Sequence, residues 1–252
     1  TEAALAFIHE HRQGPFFLYV PFTIPHLAIQ VPEDSLAEYR GQWDDPPYEG
    51  GKGYLPHPAP RAGYAAMVTR MDRSIGQILE EVKSLGLDHQ TLVMFSSDNG
   101  PTYDRLGGSD SDFFASSGPF KGRKGSLWEG GIRVPLIARW PNQIAPRRTS
   151  DHVSAFWDMF PTWIELAGGD CPAASDGISI VPTLLNRGEQ RKHDCLYWEF
   201  AGYGGQQAVR MGDWKGIRQQ MHQGNRQLEL YNLRQDPGET NNIAADHPAI
   251  TA

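Results

Sequence analysis

Residues Thr91–Pro101 read TLVMFSSDNGP, and no other stretch restricts the fold as much. Leu92, Val93, Met94 and Phe95 form an unbroken apolar run, the pattern of a strand covered on both faces of a sheet. The run stops at Asp98, Asn99 and Gly100. A carboxylate and an amide oxygen therefore stand at the carboxyl end of a buried strand, where open α/β sheets place their ligands. Oxygens of this kind suit a hard divalent cation such as calcium or magnesium. The same three residues also favour a turn for purely local reasons, so the run by itself permits either reading.

The surroundings alternate in the same way. TEAALAFIHEH is an amphipathic helical pattern, followed by a short apolar strand at Phe16–Pro21 and a Pro-interrupted, rigid loop, FTIPHLAIQVP. Residues 40–62 carry Gly, Pro, Trp and Tyr without periodicity and read as a long loop. Apolar residues then recur at three and four through Tyr64, Met67, Val68, Met71, Ile75, Ile78, Leu79, Val82 and Leu85, with Gly86 where a helix should stop. Val134–Pro141 reads as another buried strand, and Phe156–Ala167 as a helix closed by Gly168 and Gly169. From about Asp194 the texture changes to short strands (LYWEF, AVRMGDWKGIR, QLELYNL) between Gly and Asn turns, then a terminal helix. The expected fold is α/β with helices flanking a mixed sheet over 1–193. A small antiparallel sheet with a helix is expected over 194–252.

Composition narrows the function classes. A formal net charge of −7 argues against a general nucleic-acid or membrane-surface binder. No apolar run approaches the roughly 20 residues of a membrane span. Cys171 and Cys195 do not indicate a disulfide framework, although they can be imagined as a pair. The chain opens on a helix with no initiating Met and no signal peptide, so it is expected to be part of a longer protein.

Two further clusters suit an anion. Lys121, Arg123, Lys124 and Arg133 put four cations into FKGRKGSLWEGGIRVP, punctuated by glycines that let backbone N–H groups approach a ligand. The spacing is not that of a phosphate-binding P-loop, and a solvated basic loop is the plain alternative. His26, just beyond the Phe16–Pro21 strand, is a candidate acid. His57, in YLPHPAP, reads as a surface residue, while Trp43, Tyr48 and Tyr103 offer rings for a sugar. His152 and Asp158 flank a helix start, where a capping or polar-network role suffices.

Taken in order, these segments resemble the C-terminal part of a type I sulfatase of the alkaline-phosphatase-like superfamily. The matching pieces are PFFLYVPFTIPHLAIQVP, RMDRSIGQIL, LVMFSSDNGP, FKGRKGSLWEGGIRVPLIARWP, FWDMFPTWIELAG, DGISIVPTLL, VRMGDWK and ELYNLRQDPGETNNIA. The resemblance implies Asp98 and Asn99 as metal ligands, normally to calcium. It implies Lys124 as the lysine on the sulfate and ester oxygen, and His26 as the histidine beside the leaving group. Glu129 and Arg133 match scaffold positions.

The family's nucleophile is a formylglycine made from the Cys of Cys-x-Pro/Ala-x-Arg, and this sequence lacks that motif. Cys171-Pro172-Ala173-Ala174-Ser175 has Ser where Arg is required and stands in the wrong context, so Cys171 reads as structural. Formylglycine and an early Asp pair are expected upstream, and the chain alone should not turn over. The implied activity is sulfate-ester hydrolysis on a sulfated glycan or small molecule, in periplasm, lysosome or secreted space. The competing readings are a phosphomono- or diesterase of the same superfamily and a non-catalytic relative that binds sulfated glycan.

Overall fold

The computed structural model describes residues 1–103 and 105–251, which form two compact units. The first comprises Thr1–Thr91 and Pro101–Gly118 and is built on helices. α1 (Glu2–His11) buries Ala4 and Ile8, one turn apart, and lies along the long third helix, with His9 Nδ1 3.7 Å from Glu81. α2 (Glu33–Leu36) is a single turn. α3 (Pro60–Ser84) matches the periodic stretch: Met67 and Val82 are buried, whereas Asp72, Arg73, Gly76 and Gln77 face solvent. Its C-terminus closes as the sequence requires. Gly86 adopts φ +72, its N–H bonds Lys83 O at 3.0 Å, and Leu87 N–H bonds Val82 O at 3.0 Å, the paired bonds of a Schellman motif.

The N-terminus of α3 is closed by a distant residue. Asp45 accepts from Arg61 N and Ala62 N, both at 2.9 Å, and so satisfies two of the donors a helix leaves open. Arg61 in turn donates from Nε and Nη2 to Asp110 Oδ2 at 2.9 and 2.7 Å, with its guanidinium 4.1 Å from the Phe113 ring. Asp45 of the long 40–62 loop and Asp110 and Phe113 of a later segment thereby meet at one helix end. Phe16–Pro21, expected to be a strand, is not one. Apolar residues favour extended backbone, but a strand exists by its ladder, and the two sheets of the described residues take their strands from elsewhere.

The second unit comprises Leu92–Gly100 and Pro119–Ala252, described to Thr251. The apolar run becomes β1 (Val93–Ser96), followed by the one-turn α4 (Glu129–Ile132) and β2 (Leu136–Arg139). β1 and β2 pair antiparallel, Val93 opposite Arg139 and Ser96 opposite Leu136. β1 is half-buried throughout, not covered on both faces as its apolar run suggests. Coverage on two faces needs a layer packed on each side; among the described residues β1 pairs with β2 alone, and all four of its residues stay half-buried. α5 (Met159–Leu166) ends at Gly168, φ +77, again with paired bonds: Gly168 N to Glu165 O at 3.0 Å and Gly169 N to Ile164 O at 2.9 Å. α6 (Val181–Leu185) is a short helix.

Beyond it β3 (Leu196–Phe200), β4 (Gln206–Met211), β5 (Trp214–Arg218) and β6 (Glu229–Asn232) form a four-stranded antiparallel sheet in sequence order. α7 (Pro248–Thr251) is the terminal turn. The core of this sheet is not made by its own strands alone. Leu127 and Trp128, from the Gly-punctuated basic segment, pack with Ala208, Ile217, Tyr231 and Leu233. Cys171 and Cys195 are both unpaired and exposed, so no bridge joins them.

Candidate active site

The DNG turn and the basic segment are pinned to the same pair of glycines. Just past β1, Ser97 Oγ donates to Asn99 O at 2.8 Å, and Gly100 N–H bonds Gly131 O at 2.9 Å. A Cβ on Gly100 would run into the Gly130 carbonyl, so only glycine permits this approach. Gly130 N–H in turn bonds Lys121 O at 2.7 Å and closes the basic loop at its base. DNG is thus a turn, and its two polar side chains remain at the surface: Asp98 is exposed and Asn99 half-buried.

Lys124 sits in a tight turn from Arg123 to Ser126. Ser126 N and Oγ both bond Arg123 O, at 2.9 and 2.8 Å, while Arg123 N–H donates to Ser126 Oγ at 3.0 Å. Gly125 takes φ +82, the left-handed conformation that a type II turn demands at its third residue. Two of the other cations are absorbed by the fold. Lys121 Nζ stands 3.7 Å over the Trp128 ring and donates to Glu239 O at 3.3 Å. Arg133 lies 4.6 Å from the Phe120 ring and 3.7 Å from Glu129.

Glu129, matched to a scaffold position, is buried and paired as such. Its Oε1 accepts from Lys215 Nζ at 2.9 Å, and Lys215, itself fully buried, is 2.8 Å from Glu239 Oε1. Glu239 Oε2 accepts the Glu129 N–H at 2.6 Å. Burial raises the Glu239 carboxyl above its usual range, and Lys215 opposes that shift. Sequence reasoning did not single out Lys215, Glu239 or Gln206. Lys215 and Glu239 had no signal beyond membership of the VRMGDWK and ELYNLRQDPGETNNIA pieces, Gln206 stood outside both, and no local pattern reveals their pairing with residues 125–129.

His26 belongs to the first unit, in the loop after Phe16–Pro21, with cis peptides at Ile24–Pro25 and Leu27–Ala28. The ring is exposed and its Nδ1 is 2.6 Å from Leu27 O. A carbonyl only accepts, so Nδ1 carries the hydrogen of this bond.

The other polar residues serve structure. His57 is buried, not at the surface: Ala59 N–H donates to its Nδ1 at 3.1 Å, and a Cβ on Gly63 of α3 would strike the ring. Burial lowers its pKa. The unfolded chain therefore takes the proton first, and stability should fall as pH drops below about 6.5. In thermal melts at neutral and mildly acidic pH, His57→Asn, which keeps an acceptor for the Ala59 amide, should lose less than wild type on acidification. Equal losses would remove His57 as the cause.

Asp158 is fully buried, accepts from Ala155 N and Ile178 N at 2.7 and 2.8 Å, and meets His193 Nε2 at 2.7 Å. It is a polar-network residue; its partner His193, 35 residues away, carries no local signal. Trp43 packs against Tyr39, Phe113 and Phe114, and Tyr48 OH donates to Gly51 O at 2.8 Å. Tyr103 remains partly exposed. Among the described residues no three His, Cys, Asp or Glu side chains gather as a metal site, and no helix is long and apolar enough to cross a membrane.

The sulfatase family model matches residues 1–169, and that of the N-sulphoglucosamine sulphohydrolase C-terminal region matches residues 120–251. Mouse steryl-sulfatase is 33% identical over 198 residues, 78% of this chain and 28% of the relative. N-acetylgalactosamine-6-O-sulfatase of Bacteroides thetaiotaomicron is 30% identical, over 99% of this chain and 48% of its own length. The crystal structure of Ps i-CgsB superposes with a TM-score of 0.80 at 26% identity, covering 99% of this chain and 51% of that one. The chain thus spans about half or less of the proteins it matches. With the family match running through the DNG turn, the lysine loop and the strands between them, and with the α/β, alkaline-phosphatase-like fold of its solved relatives, this chain belongs to the sulfatase family.

Proposed function

We propose that the protein to which this chain belongs hydrolyses sulfate esters, and that residues 1–193 form the rear of its catalytic α/β domain, with 194–252 as a small antiparallel subdomain. The observation that carries the reading is the anchoring of two polar loops on Gly130–Gly131. One loop presents Asp98 and Asn99, the other Lys124. Sulfuryl transfer through a loose transition state asks mainly for positioning and charge stabilisation, and these loops offer that. Lys124 is assigned to the non-bridging and bridging oxygens of the ester, where its ammonium offsets negative charge. His26 is assigned to the departing alkoxide oxygen, to which Nε2 of the imidazolium gives its proton. This assignment of His26 rests on its motif. The nucleophile, a formylglycine, is expected upstream of Thr1.

Asp98 and Asn99 supply hard oxygens that fit calcium, with magnesium as the lesser choice. They would supply two of the six to eight oxygens calcium takes, and the ion held there would polarise sulfate oxygens. The relatives named for N-acetylgalactosamine-6-sulfate and steryl sulfate bracket the substrate class, and the family weight on sugars favours a sulfated glycan. An exported location, whether periplasm, lysosome or cell exterior, agrees with such a substrate.

Release of inorganic sulfate by the full-length protein from a sulfated monosaccharide and an aryl sulfate, against matched phosphate esters, tests the activity. Faster phosphate release would replace the sulfatase reading by a phosphatase one. The metal assignment has its own test. Calcium at about 100-fold its Kd should stabilise the full-length protein by about 2.7 kcal/mol, and Asp98→Ala should abolish that gain. A calcium response that survives the substitution refutes Asp98 as a ligand.

A further inference from the structure

The lysine loop has little regular structure of its own to hold a side chain still; α4 is one turn long. What fixes it comes from one face of the β3–β6 sheet. Strand alternation puts Gln206, Ala208 and Arg210 on the same face of β4, and the registers Ala208 opposite Ile217 and Arg210 opposite Lys215 carry that face onto β5. From this face Gln206, buried in the core, uses both ends of its amide. Its Oε1 accepts the Leu127 N–H at 3.1 Å, and its Nε2 donates to Gly125 O at 2.9 Å. Next along, Lys215 and Glu239 take the side chain and the N–H of Glu129. Residues 125, 127 and 129 are therefore each tied, by side chains of the sheet and its following turn, to fixed points beside Lys124.

The Tyr203 ring, on the β3–β4 connection, lies so close over Gly125 that a Cβ there would collide with it. Apolar contact through Leu127 and Trp128 already anchors the segment to the core. The polar ties do something different: they set direction, because a buried amide is tolerated only with both ends satisfied.

We propose that Gln206, backed by the Lys215–Glu239 pair, is a positioning residue for Lys124, holding the Gly125 carbonyl, which the Tyr203 ring covers, and the Leu127 amide so that the ammonium stays on the ester oxygens. This rests on the reading of Lys124 as the anion-binding lysine.

The test is steady-state hydrolysis of 4-nitrophenyl sulfate by the full-length protein, with hydrogen exchange of residues 123–129 followed in parallel. Gln206→Ala should speed exchange at Leu127 and lower kcat per folded molecule by up to about 10²-fold, the cost of a misplacement near 1 Å, with KM near wild type and a lower unfolding temperature, because the Leu127 N–H and the Gly125 carbonyl lose their buried partner. Tyr203→Ala, at an exposed position that does not threaten folding, should lower kcat in the same sense by a smaller factor, and it decides the matter if Gln206→Ala does not fold. Wild-type kcat in either folded variant despite faster exchange overturns the positioning role alone. A kcat loss that merely follows the unfolded fraction overturns it as well. Absence of sulfate release from wild type fails the sulfatase reading itself and takes this inference with it.

Discussion

Replacing Lys124 by alanine in the full-length protein should lower kcat for a sulfate ester by about 10²–10³-fold, the range for removing one pre-placed charge-stabilising donor. The fold should survive. Lys124 is half-buried in a turn whose hydrogen bonds run through Arg123, Ser126 and Gly125, and its ammonium is not part of the Lys215–Glu129–Glu239 cluster. Its loss therefore removes a charge at the ester and leaves the loop's scaffold standing. Lys124→Arg should recover only part of the loss, since a planar guanidinium does not present the same point charge. Measured kcat, KM and thermal unfolding together check this. Turnover near wild type in the alanine variant would take the anion-binding role away from this residue.

The second large effect is on stability. Lys215→Met should destabilise the protein by about 3–5 kcal/mol, because it leaves the Glu129 and Glu239 carboxylates buried without their shared cation. The sign with pH is fixed by Glu239, whose carboxyl is already raised by burial. A raised folded pKa favours the protonated form, so the stability it confers is present at low pH and is lost as pH rises through that pKa. The deficit of Lys215→Met should accordingly shrink on acidification and widen toward neutral pH. Chemical denaturation across pH checks it, and a deficit that does not change with pH would mean that the carboxylates are not the cause. Adding Glu129→Gln and Glu239→Gln should restore part of the lost stability, because a neutral cluster no longer needs the ammonium.

What was legible in the sequence had a local cause. The α3 stripe follows from the 3.6-residue repeat, and its end at Gly86 from the left-handed backbone that glycine alone adopts without cost. β1 and β2 announced themselves through continuous apolar runs, and the strands of the terminal sheet through short segments between Gly and Asn turns. Asp98 and Asn99 were picked out by their place just past an apolar run, Lys124 by its cation cluster and His26 by its place after Phe16–Pro21, and their proposed roles came from the family resemblance. Phe16–Pro21 failed for the complementary reason: composition makes a segment extended, but only a neighbouring strand makes it a strand.

Helix periods, helix stops, strand candidates and the order of motifs can be read along the chain, since each depends on residues a few positions apart. Folding in three dimensions is what makes Asp45 the cap of α3, buries His57 against Gly63 and rests Gly100 on Gly130 and Gly131. It alone decided that Lys215 finds Glu129, 86 residues away, and that Glu239 finds the amide of Glu129, 110 residues away. A charge can be buried only where its partner is brought by the fold, and that pairing leaves no trace in the spacing along the chain.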